Sequence, residues 1–228
     1  MSEVSKRWME IYKQKGALWF HDGNPKRPHA LLTSGNHSDG FFNSELVMED
    51  PASLDGASSE LVDLLLGQGF FRGMLNPNRV VGPAMGAITL AHDVARHMSL
   101  EYDYPCMRSY VEKETIGINT KMVFRRTSVQ RGEKVLLVED VLTTGDSVEM
   151  AAKAVVLAGG IVLPYVAVLV NRSGQKEVGG RKIVALIDQP MHNWDPVNNN
   201  GICPLCATGS EAIRPKNLDN WARLNADY

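Results

Sequence analysis

Residues 136–147, LLVEDVLTTGDS, place Glu139 and Asp140 side by side at the end of an aliphatic run and follow them with a loop of small and hydroxylated residues. Adjacent carboxylates suit sugar hydroxyls or a metal-bound diphosphate. Thr143, Thr144, Gly145, Asp146 and Ser147 offer hydroxyl and backbone N–H groups. At the start of a helix, unpaired N–H groups and the positive end of the macrodipole favour an anion. Gly145 lets a ligand reach the backbone closely. A ligand that needs both halves is a ribose phosphate. Two other readings use the same residues. A phosphoacceptor receiver domain also clusters acids at a strand end, but at its first strand, whereas these end a strand at mid-chain. In a purely structural reading, the acids flank a loop and Asp146 or Ser147 caps a helix. The sequence has no G-x-x-x-x-G-K-[ST] loop and no G-x-G-x-x-G turn after a strand.

The elements that must position these residues alternate along the chain. Short apolar runs at 79–82, 104–112, 134–139, 161–170 and 182–187 read as strands covered on both faces. Helical spacing is predicted over 6–16, 51–67, 86–98 and 147–158. Asp50 and Pro51 mark the start of the second helix, with Leu54, Ala57, Leu61 and Leu65 on one face, and Leu90, Val94 and Met98 share a face of the third. Gly159 and Gly160 stop the fourth. This alternation predicts an α/β fold, with Glu139 and Asp140 at the carboxyl edge of its sheet, where ligands bind. The tail from Asp195 is turn-rich and reads as irregular.

Composition narrows the ligand class. With 228 residues, 44% of them hydrophobic, the chain has enough apolar material for one sizeable core. A net charge of -2 with scattered Lys and Arg gives no electrostatic footprint for nucleic acid. The N-terminus lacks the apolar core of a signal peptide, and no run approaches the roughly 18 apolar residues of a membrane span. A cytoplasmic protein with three reduced cysteines is expected.

VLLVEDVLTTGDSV resembles the 5-phosphoribosyl 1-diphosphate (PRPP) binding motif of type I phosphoribosyltransferases. The segments LLTSGNHSDGFFN (31–43), VVGPAMGAITLAHDVAR (80–96), VLVNRSG (168–174) and CPLCATG (203–209) narrow the resemblance to the orotate phosphoribosyltransferases. The resemblance covers most of the chain. It implies one phosphoribosyltransferase domain over 1–228, a central mostly parallel sheet flanked by helices, with a small hood from about 1–45 and 188–228. It implies that Glu139 and Asp140 hold the ribose hydroxyls and that Val141, Leu142, Thr143, Thr144, Gly145, Asp146 and Ser147 wrap the 5-phosphate. Orotate contacts fall to Phe41, Phe42, Thr143 and Arg172. An aromatic wall and a guanidinium fork suit a planar carboxylated ring, although packing in the core and an ordinary ion pair are the structural alternatives. The diphosphate loop corresponds to Ala84, Met85 and Gly86. A mobile loop over 112–121 brings Lys113 and Lys121, with Asp140, into the catalytic set, and Gly117 gives it flexibility. Mg²⁺ is implied as cofactor, held mainly through PRPP rather than by protein ligands. A homodimer with shared sites is implied as well. Three departures stand out: Met85 and Gly86 where many members carry a lysine, Thr33 near another such lysine, and no histidine in the mobile loop. Alternatives are transfer to another base and a PRPP-sensing regulator of the same fold.

Cys203 and Cys206 have zinc-knuckle spacing, but one CxxC supplies two of the four ligands that a structural site needs. Cys106 and His192 are the residues weighed to complete it, and free thiols are the expectation. His37 reads as a solvated loop histidine.

Overall fold

The computed structural model describes residues 2–68, 76–196 and 203–228. They divide into two compact units: Met1–Trp8 with Met48–Gln189, and Met9–Val47 with Pro190–Tyr228. The helix Glu3–Gln14 starts in the first unit and ends in the second.

The first unit is built on a seven-stranded sheet. From edge to edge its strands are Glu177–Val178, Arg181–Asp188, Ile161–Asn171, Lys134–Leu142, Arg79–Pro83, Met107–Ile116 and Asn119–Val123. The five central strands are parallel, and the two edge strands pair antiparallel with their neighbours. The central parallel strands Lys134–Leu142 and Ile161–Asn171 are largely aliphatic because both faces are covered. Val135 and Leu137 lie in the core beneath the helix Asp146–Leu157, whereas Leu136 and Val138, fully buried between and beside them, face the opposite way. The helices Pro51–Gly67 and Ile88–Tyr102 pack on each other and on sheet strands. Asp50 caps the former, its carboxylate accepting from the Ala52 N–H with Pro51 in the first turn, as the sequence predicts. Leu54, Ala57, Leu61 and Leu65 are buried along that helix, and Leu90, Val94 and Met98 along the next.

Several boundaries differ from the sequence reading. The helix expected over 86–98 runs Ile88–Tyr102, because 84–87 forms a loop and the chain continues helical to Asp103, which turns left-handed at φ 52°. The first helix is Glu3–Gln14 rather than 6–16, since Glu3 suits a helix N-terminus. The expected loop over 112–121 is instead a β-hairpin, with Ile116 paired to Asn119 across a Gly117–Ile118 turn. Its β-branched residues supply the cross-strand contacts, Thr115 and Thr120 joining hydroxyls at 3.1 Å. A polar, Lys-rich pair of edge strands reads as a loop from sequence because no apolar alternation announces it.

The second unit has a four-stranded sheet, Asn193–Trp194, His37–Ser38, His29–Leu31 and Ala212–Ile213, and the pair Leu18–Phe20 with Gly40–Phe42. Trp19, Ala30, Leu32, Phe41, Ile213 and Leu224 form its core, with Trp221 packed against it. The Trp19 indole N–H donates to the Leu224 carbonyl at 2.7 Å. The tail expected to be irregular thus carries the helices Pro204–Ala207 and Leu218–Leu224. Its apolar residues are too sparse to show periodicity, but they are anchored by Ile213 and Leu224. Residues 197–202 lie outside the described residues.

Candidate active site

The strand Lys134–Leu142 extends three residues beyond the run read from sequence, so Val141 and Leu142 belong to it and not to the loop. Leu142 pairs with Asn171 of the neighbouring parallel strand, which carries both acids to the carboxyl edge of the sheet. As consecutive strand residues, Glu139 and Asp140 point to opposite faces. Glu139 is buried; Asp140 is half-buried. Asp140 faces the loop after the strand Arg79–Pro83: a Cβ on Gly86 would stand 2.7 Å from Asp140 Oδ2. Only glycine lets this backbone lie against the carboxylate. The loop is anchored by the Ala84 N–H to the Val111 carbonyl at 2.8 Å and the Ala87 N–H to the Pro83 carbonyl at 3.1 Å. Its Ala84–Met85 peptide is cis, and the Met85 side chain is exposed.

Thr143 and Thr144 connect the acid strand to the helix Asp146–Leu157. Gly145 is the residue before that helix, at φ 93°, and a Cβ there would come within 2.4 Å of Val178 Cγ2. Glycine is therefore required by backbone conformation and by space together. The N-cap is this glycine rather than Asp146 or Ser147, the caps of the purely structural alternative, and it has no side chain to spend on the first-turn N–H groups. Thr144 donates its hydroxyl proton to Asp146 Oδ2 at 2.8 Å.

Arg172 follows the strand Ile161–Asn171 and is buried, with its backbone N–H donating to the Leu142 carbonyl at 3.0 Å. It thus stands beside the end of the acid strand. Its segment is held by Asn171, which the sequence reading passed over. The Asn171 amide donates to the Gln175 carbonyl at 2.8 Å and to Asp188 Oδ1 at 3.0 Å, while its oxygen accepts from the Ser173 hydroxyl at 2.6 Å. A polar residue ending an otherwise aliphatic strand was the available signal.

Lys113 and Lys121 lie on the two strands of the hairpin, both exposed. Lys121 Nζ is 3.1 Å from Glu114 Oε2, and Arg125 donates to Glu114 Oε1 at 2.8 Å. The Lys121 hydrogen bond, aided by both positive charges, holds the Glu114 carboxyl below its usual range. Phe41 and Phe42 belong to the second unit and are buried there. Phe41 meets the Trp221 ring edge-on at 5.8 Å and Phe42 meets Tyr12 at 5.5 Å. The first unit therefore unites the acid pair, the Gly86 loop, the Gly145 turn, Arg172 and the hairpin lysines, but not the aromatic pair.

Residues 60–194 match the phosphoribosyl transferase domain family. The chain belongs to this family. It is 38% identical over 188 residues, 82% of its length and 87% of the relative's, to the orotate phosphoribosyltransferase of Desulforamulus reducens. The orotate phosphoribosyltransferase of Pelotomaculum thermopropionicum is 35% identical over the same shares of about that span, 82% and 87%. Among solved structures, the orotate phosphoribosyltransferase of Aeropyrum pernix superposes with a TM-score of 0.55 at 25% identity, over 78% of this chain and 91% of that one. The curled, mostly parallel sheet is thus that of a type I phosphoribosyltransferase, and the acid strand with its Gly145 turn lies within the matched residues. No helix among the described residues is long and apolar enough to cross a membrane.

Proposed function

We propose that the protein transfers the ribose 5-phosphate group of PRPP to orotate, giving orotidine 5-phosphate and diphosphate, the phosphoribosyl step of pyrimidine synthesis. One observation carries this reading: Asp140 lies against the bare backbone of Gly86 and five residues before the glycine that leads a helix N-terminus, so sugar hydroxyls and phosphate meet their partners on one edge. The names of the relatives support orotate as the acceptor.

In the transfer, the bond from C1 to the diphosphate oxygen breaks with its electron pair leaving on diphosphate, positive charge develops at C1, and a ring nitrogen of orotate forms the new bond as its N–H proton passes to solvent or to the departing diphosphate. Glu139 and Asp140 fix the ribose through its hydroxyls. The N–H groups of residues 144–147 hold the 5-phosphate, which orients C1 for attack. Arg172, with a planar fork of donors, takes the carboxylate of orotate, and Thr143 reaches its ring. Lys113 and Lys121 oppose the charge growing on the leaving diphosphate. The side-chain donors of this edge, Glu139 and Asp140, are hard oxygens that would suit Mg²⁺; bound mainly through PRPP, it would supply further neutralisation of the diphosphate. The working form is a cytoplasmic homodimer in which the hairpin serves the neighbouring subunit's site.

A panel of bases tests the reading. With PRPP and Mg²⁺, diphosphate release with orotate should exceed that with uracil, adenine, guanine or hypoxanthine by at least about a hundredfold, because a site built to pair a carboxylate rejects bases without one. Preferred turnover of a purine would make the protein a transferase for another base. PRPP binding without turnover of any base would make it a regulator.

A further inference from the structure

The strongest constellation outside the active site lies wholly in the second unit. His29 and His37 begin adjacent antiparallel strands, paired in register as Ala30 to Ser38 and Leu31 to His37. Cys203 precedes the helical turn Pro204–Ala207, and Cys206 lies within it. Their four ligand atoms all lie within 4.8 Å of one another. His29 Nε2 is 3.0 Å from His37 Nδ1, 3.6 Å from the Cys203 sulfur and 3.5 Å from the Cys206 sulfur. The Cys206 sulfur is 3.3 Å from His37 Nδ1. With metal–sulfur bonds near 2.3 Å and metal–nitrogen bonds near 2.05 Å, the edges of a tetrahedron are about 3.5 Å for S···N and about 3.3 Å for N···N. These four separations lie within about 0.3 Å of such edges.

The hydrogen bonds around the cluster point the same way. Ser210 donates its hydroxyl proton to the Arg27 carbonyl at 2.6 Å, so at 2.8 Å from His29 Nδ1 its oxygen accepts the imidazole proton. That fixes the tautomer: Nε2 of the neutral ring carries a lone pair and faces the cluster. One lone pair can take one proton, yet three polar atoms converge on it. A cation at the centre satisfies all four groups together, and a histidine whose second nitrogen is held by an outer partner is the usual arrangement of a metal ligand. The knuckle is shaped to match, with the Ala207 N–H donating to the Cys203 carbonyl at 3.1 Å and Gly209 closing the turn at φ 96°.

We infer that His29, His37, Cys203 and Cys206 form a closed zinc site that fastens the C-terminal segment to the His29–Ser38 hairpin. Two thiolates and two imidazoles are a donor set for zinc, and four protein ligands leave no open position for chemistry, so the metal is structural. The expectation of free thiols is replaced, and so are the partners first weighed. Cys106 lies in the other unit, and His192 is 2.6 Å from Asp39 Oδ2.

Metal content of the purified, tag-free, full-length protein decides the matter. Wild type and Cys106→Ser should each hold about one zinc per chain, and Cys206→Ser and His37→Gln, changed at the less buried ligands, should fall at least about tenfold below that. Ser210→Ala, which touches no metal, should keep the site but weaken zinc binding by about 10–100-fold in a chelator competition. Cobalt added to the zinc-free protein should give the intense visible bands of a tetrahedral thiolate site, and lose them in Cys206→Ser. A wild-type protein that contains no zinc and gives no such cobalt spectrum overturns the proposal; so does zinc retained in full by both Cys206→Ser and His37→Gln.

Discussion

The acid strand with its turn and the histidine–cysteine cluster put ligand-binding groups together in opposite ways. Glu139 through Ser147 are consecutive, and one strand, one glycine and one helix start are enough to aim them. The cluster collects residues 29, 37, 203 and 206, which meet only because a parallel pairing sets Ala212 beside His29 in a small sheet. The first kind of site survives in sequence as a motif. The second exists only once the chain is folded, and its members look unrelated until then.

Substitutions sharpen this contrast. Gly86→Ala should have the largest effect: its Cβ cannot coexist with the present Asp140 carboxylate, so the acid must swing away while the sheet remains intact. A displacement of that size should lower kcat/KM by about a hundredfold, with the thermal unfolding midpoint little changed. Unchanged kinetics would show that Asp140 need not sit where it does.

Glu133→Gln probes the scaffold rather than the site. Arg79 is buried, and donates to Glu133 from two nitrogens at 2.8 and 3.0 Å and to the Ser109 hydroxyl at 2.8 Å. Removing the carboxylate charge strands a buried guanidinium, at a cost of about 2–3 kcal/mol in unfolding free energy. The Arg79 hydrogen bonds hold the Glu133 carboxyl below its ordinary 4.5. Its contribution is therefore complete above that value and disappears as pH falls through the depressed one. Denaturant titrations at neutral and acid pH should show the gap between wild type and variant closing in acid. A gap independent of pH would refute the assignment.

Arg172→Ala should raise KM for orotate by about 10–100-fold, the loss of one charge-assisted pair, and leave KM for PRPP nearly unchanged. Equal rises for both substrates would place Arg172 in the scaffold. The smallest signal comes from subunit mixing. If the hairpin serves the neighbouring site, combining inactive Lys121→Ala and Asp140→Asn chains makes half the dimers mixed and repairs one site in each. About a quarter of wild-type activity should then return. No recovery after verified exchange would assign Lys121 to its own subunit or to no site.

What the sequence disclosed follows from how far apart the cooperating residues lie. Asp50 and Pro51 announce a helix start by themselves, and the aliphatic runs announce strands covered on both faces. Gly86 against Asp140 joins residues 54 apart, and nothing local says that this glycine, in a loop already rich in small residues, is the one that must stay bare. The hairpin was hidden because its side chains are polar on both strands. His37 read as solvated because its partners, Cys206 and the buried His29, come from elsewhere in the chain.

The central claim is that the acid strand and its glycine turn bind ribose phosphate, and titrating PRPP with Mg²⁺ into wild type and Asp140→Asn by calorimetry tests it most directly. Asp140→Asn, with a native thermal midpoint, should bind PRPP at least about tenfold more weakly, since the amide replaces a charged acceptor of sugar hydroxyls. Equal affinity in a natively folded variant would contradict the account.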